Sequence, residues 1–181
     1  MAMTLITTNP DSTDVANVSF TSSIDSTYKL YIFKFINVNP ATDEAEFQVN
    51  FSTDGGSNYN MTKTTTQFKA RHGEDDSTFF GYQAAQDLAQ STSYQNLTDY
   101  SGNAADESIN GTLWLFNPSN TTYVKHFYAT LSANDAGSGT AQSADNFFVS
   151  GYINSTSDID AVDFKMDSGN MDGVIKMYGV G

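Results

Sequence analysis

Apolar and polar residues alternate with a period of two through residues 44–52: Phe47, Val49 and Phe51 fall in one phase, Glu46, Gln48 and Asn50 in the other. That period turns apolar side chains to one face of a half-buried strand. The run stops at Asp54-Gly55-Gly56-Ser57, whose glycines supply the positive φ that a hairpin turn needs. Similar grammar predicts strands over 15–22, 28–37, 44–53, 59–71, 78–83, 109–116, 123–132, 146–153, 159–166 and 173–180. Short strands with turn-rich joints predict an all-β fold, an antiparallel β-sandwich or jelly roll whose sheets each bury one face. Only the 84–90 segment, AAQDLAQ, reads as helix, a short one of about two turns. Residues 1–14 lack a period and read as an N-terminal arm that could lie on a neighbour, and 15–181 as a single β-sandwich domain.

Phase also predicts the core. Phe47, Val49 and Phe51 point inward, with Leu113, Leu115, Phe127, Leu131, Val162, Phe164, Met166, Ile175 and Met177. The 28–37 strand is different, because one face carries Leu30, Ile32 and Ile36 around Lys34 while the other carries Tyr31, Phe33 and Phe35. A strand apolar on both faces is either central with something packed on its outer side, or meets another subunit. Tyr31, Phe33 and Phe35 are the candidate interface on the second reading. The joints 74–77, 101–107 and 134–140 are small, polar and often acidic, hence exposed loops. Asn117-Pro118-Ser119-Asn120 marks a turn.

Composition narrows the function classes. Eight Lys and Arg against 21 Asp and Glu give a net charge of −13, which argues against nucleic acid as a partner, since phosphate binding relies on clustered cations. Acidity of this kind keeps a crowded, multi-copy surface soluble. The chain has no cysteine, so thiolate metal sites and cysteine nucleophiles are excluded. Met1 to Leu5 show no basic or apolar leader and no long apolar run follows, so neither signal-peptide export nor a membrane span is expected. Seven Asn-x-Ser/Thr triplets begin at Asn17, Asn50, Asn60, Asn96, Asn110, Asn120 and Asn154, as expected by chance in a chain rich in these residues.

Candidate chemistry is thin. His126 alternates with Lys125 and Phe127 and reads as a sheet histidine; His72 sits at a strand end and reads as solvated. Neither accompanies a nucleophile elbow. Asp158, Asp160 and Asp163 lie close in sequence, Asp158 and Asp160 in one strand phase, and Glu74-Asp75-Asp76 forms an acidic turn. None follows the converging loop pattern a calcium ion wants, so no metal or other cofactor is expected. Trp114, in phase with Thr112 and Phe116, could stack on a sugar from an exposed sheet face, burial being the alternative.

Two long segments and a central one carry a family likeness: Tyr31 to Asp43 running into Phe47 to Asn60, Phe164 to Val180 with its Gly-x-Ile-Lys-Met-Tyr-Gly-Val ending, and Gly111 to Ser119. Together they resemble a group of short acidic virion-associated proteins of marine tailed bacteriophages, cyanophages included. The resemblance implies a non-enzymatic structural protein of the virion, assembled in the host cytoplasm, and brings no catalytic or binding residues with it. The expected role is capsid decoration or cement, the alternative a tail or fibre component that binds host carbohydrate. The expected partners are further copies of the chain, as a homotrimer, and the major capsid protein or tail proteins.

Overall fold

The computed structural model describes residues 2–9, 12–135 and 142–181. Among these residues thirteen strands run in chain order: β1 (Met3–Thr8), β2 (Ser12–Val15), β3 (Asn17–Phe20), β4 (Leu30–Pro40), β5 (Phe47–Ser52), β6 (Lys63–Gly73), β7 (Thr78–Tyr82), β8 (Gln95–Asn96), β9 (Ile109–Phe116), β10 (Lys125–Asp135), β11 (Ser143–Ile153), β12 (Ala161–Met166) and β13 (Met171–Val180). Every pairing is antiparallel. The large sheet runs β1-β13-β4-β9-β10-β11-β6-β7, with β2 also on β13, and the small sheet runs β3-β12-β5-β8. The fold is an all-β sandwich of two unequal antiparallel sheets.

The period-two phases settle which side of each strand is buried. All twelve core positions read from phase are buried, from Phe47 and Leu113 to Ile175 and Met177. Phe164 of the small sheet is the hub: its ring centroid lies 5.3 Å from Phe33, 5.1 Å from Phe35 and 6.0 Å from Phe47. Tilted, edge and stacked ring contacts of this kind add to the burial of the rings themselves.

Several expectations are corrected. Tyr31, Phe33 and Phe35 are 0 %, 0 % and 2 % exposed, because the small sheet covers that face of β4. They belong to the core and are not available as a subunit interface. The Asp54-Gly55-Gly56 turn does bring Gly55 and Gly56 to φ +71° and +84°, but it leads from the small sheet into the large one and closes no hairpin. The polar phase of β5 is covered too. Asn50 and Ser52 are fully buried, Asn50 donating to the carbonyls of Tyr59 (2.6 Å) and Thr92 (3.0 Å).

No helix occurs among the described residues. The 84–90 segment is a turn held from outside: Leu88 N donates to Thr65 Oγ1 (2.8 Å), Thr65 N to Leu88 O (2.9 Å), and Gln90 has φ +50°. Contacts to β6 replace the helical ladder there. Met3–Thr8, expected within an arm, pair instead with β13 of the same chain. Asp158 and Asp160 precede β12, so they share no strand face. Met1, Pro10 and Asp11 of the expected arm and residues 136–140 of the expected loop lie outside the described residues.

Candidate functional site

The feature that distinguishes the molecule is the outer face of the large sheet. Strand register lays out its rows. One row reads Leu5, Tyr178, Ile32, Trp114, Tyr128, Ser150 and Thr66 from β1 to β6. Its neighbours carry Phe116, His126 and Tyr152 on one side and Lys176, Lys34, Thr112, Thr130, Phe148, Phe68 and Tyr82 on the other. Directly opposed residues on paired strands share a face and touch. Trp114 and Tyr128 accordingly stack at 4.4 Å, Phe68 and Phe148 at 5.0 Å, and Phe80 meets Phe68 at 5.8 Å.

Of the twelve large hydrophobic side chains left exposed among the described residues, nine lie on this face, Phe148, Phe68, Phe80, Tyr82, Phe116 and Tyr128 among them. The other three are Phe79, on the inward phase of β7, and Tyr100 and Tyr123 in loops. Charge is partitioned with equal clarity. Strands β4, β6, β7, β9 and β11 contain one acidic residue between them, Asp145, and it points inward with 1 % exposure. A chain of net charge −13 thus keeps carboxylates off the middle of its broadest face.

Trp114 stands on this face, and its ring is engaged from both neighbouring strands. Tyr128 of β10 stacks on it, while Lys34 of β4 donates to Thr112 Oγ1 (2.8 Å) and holds Nζ 5.8 Å from the indole centroid. Rings stacked on one another across strands stand on edge and offer rims to an incoming molecule. His126 lies on the same face, exposed, 6.3 Å from Tyr152. His72 is a solvated strand-end residue, its Nε2 3.1 Å from Asp76 Oδ1.

A second cluster is polar and buried. The inward phase of β6 carries Lys63, Thr65, Gln67 and Lys69, all buried. Lys69 Nζ bridges Asp99 (2.5 Å) and Asp145 (3.0 Å). Burial opposes its charge, but the two carboxylates outweigh burial and hold its pKa above the ordinary lysine value. Above the pair opens a cleft of about 440 Å³ rimmed by Arg71, Phe79, Gln83 and Tyr100. Lys63 Nζ donates to Asn50 Oδ1 (2.8 Å) and Met61 O (3.0 Å), with burial pushing its pKa down to about 7. Gln67 is fully buried, and neither of its side-chain polar atoms has a hydrogen-bond partner. This is a structural arrangement: each ammonium is consumed by groups of the fold itself.

Three of the carboxylates singled out in the sequence are likewise held by groups of the fold. Asp163 accepts from Asn17 Nδ2 (2.7 Å), Tyr94 OH (2.9 Å) and Ser19 Oγ; Asp160 accepts Gly55 N at 3.0 Å; Asp75 accepts Ser77 N at 3.0 Å. Among the described residues no group of three or more His, Cys, Asp or Glu is placed to hold a metal ion. Compared with protein-family models, curated proteins and solved structures, the chain has no match.

Proposed function

We propose that this chain is a non-enzymatic structural protein of a bacteriophage particle, seated on the head as a decoration or cement protein. One observation carries the reading: an aromatic sheet face nearly free of carboxylates on a chain of net charge −13. Exposed apolar faces of this breadth mark interaction surfaces, and an acidic remainder suits the outside of a crowded particle. The likeness of Phe164 to Val180 to virion-associated proteins of marine phages supplies the setting.

Mass spectrometry of purified particles is the test. Copy numbers on the order of hundreds place the protein on the symmetric head lattice, and a handful place it in the tail. Absence from particles removes the proposal.

The second reading, a tail or fibre component that binds host carbohydrate, rests on Trp114 lying on the exposed face. Its indole would have to leave Tyr128 and Lys34 before a sugar ring could lie on it, which is why this reading ranks second. Saturable binding on a glycan array, lost in Trp114→Ala with the fold intact, would reverse the order.

A further inference from the structure

We infer that the outer face of the large sheet is a contact between two copies of this chain, packed sheet on sheet about a two-fold axis. This goes beyond a role in a particle and is tested separately from it.

Area is the first argument. The seven strands from β13 to β7, spaced about 4.8 Å apart and carrying rows about 6.8 Å apart, make a face roughly 30 Å by 25 Å, on the order of 750 Å². A standard specific interface buries about 800 Å² per partner. Two twisted sheets can meet on such faces at about 10 Å separation with strands inclined by about 30°.

Charge supplies the second. With a net charge of −13, contact between two copies elsewhere brings carboxylate toward carboxylate. On this face β4, β6, β7, β9 and β11 put none forward, and the exposed carboxylate of β13, Asp172, stands at the very start of that strand. A second copy is therefore the partner for which this one surface is compatible and the remainder is not. The cations obey the same layout: Lys34 and Lys176 stand opposite each other on β4 and β13, to one side of the aromatic centre, where an interface carries its polar rim.

Ring geometry is the third. Trp114 on Tyr128 and Phe68 on Phe148 are already stacked within the sheet. With the hydroxyls of Thr130 and Ser150 beside them, they present a firm surface of ring edges. Such a surface packs against another like it with little side-chain ordering, which lowers the cost of association.

The experiment is sedimentation velocity on the whole chain up to roughly 100 μM, well above the micromolar Kd at the weak end of interfaces this size. The wild type is expected to sediment as a dimer. Phe148→Asp, which places a carboxylate at the centre of the face, is expected to weaken association at least about thirtyfold, the size of one interface hot spot. Tyr123→Asp, in a loop off the face, is expected to leave it unchanged. Circular dichroism of each variant checks the fold, and Ser150→Asp is the substitute if Phe148→Asp fails to fold.

A nitroxide on Tyr123→Cys, off the face, the chain having no other cysteine, is expected to report a single distance between copies. A wild-type monomer overturns the inference, as does a dimer indifferent to both face variants, or a trimer. So does a monomer that instead binds glycans through this face. Presence in particles with a monomer in solution would leave the proposed function standing and this inference refuted.

Discussion

At the residue scale, the buried polar stripe of β6 makes three separable predictions. Lys69 holds Asp99 and Asp145 together. Lys69→Met leaves two buried carboxylates without their cation and should cost about 3–5 kcal/mol of unfolding free energy, read by urea titration. Gln67 has the opposite sign. Its amide is buried and without partners, so Gln67→Leu removes polar atoms that the fold does not satisfy and should stabilise by about 1 kcal/mol with an unchanged urea m-value. Lys63 governs pH. Its pKa is 10.5 in an unfolded chain and about 7 when folded, so between these values the unfolded chain holds a proton the folded one lacks. Stability should rise as pH climbs from 7 toward 10 and fall as pH drops back through 7. Lys63→Met should flatten that slope, and a slope surviving the substitution would assign it to another group.

At the element scale, strands with one apolar phase were legible and strands with two, or none, were not. β12, expected over 159–166, spans Ala161–Met166, because Val162, Phe164 and Met166 define one phase against Asp163 and Lys165. β4 was ambiguous because Leu30, Ile32 and Ile36 oppose Tyr31, Phe33 and Phe35: alternation gives two faces and does not say which meets the core. The same doubling on β9, β10 and β11, where Trp114, Tyr128 and Phe148 oppose Leu113, Ala129 and Phe147, was the available signal for the outer face. It was strengthened by the lack of acidic residues in those phases. β6 inverts the usual rule, with Lys63, Gln67 and Lys69 inside and Phe68 outside, so hydropathy alone misreads it. The 84–90 segment failed as a helix because β6 claims its backbone. A bulge also escapes the pattern: pairing of β13 with β4 shifts between Asp172 and Val174, where Gly173 has φ +123°. A Cβ there would stand 2.7 Å from Asn37 O and 2.8 Å from Val38 Cα. Gly173→Ala should therefore lower stability by about 1–3 kcal/mol in thermal or urea unfolding, and an unchanged midpoint would show that the bulge relaxes freely.

At the scale of the whole molecule, charge and apolar surface are set on different parts of one body, and salt should separate them. Two chains of charge −13 repel over about 10 Å at 0.1 M ionic strength and over only about 3 Å at 1 M, whereas contact between ring faces is not weakened by screening. Self-association should thus tighten with added sodium chloride in sedimentation equilibrium; loosening would mean that ion pairs hold the copies together. The order of strands carries one more consequence. β13 lies between β4 and β1 in the large sheet and also receives β2, so three elements from the first 40 residues wait for a strand that begins at Met171. Contacts so distant in sequence are slow to form. During synthesis the ribosome must release β13 before the β1 end of this sheet is complete, and until then β4 offers the nascent chain an open strand edge of the kind that invites pairing with a neighbouring polysome product.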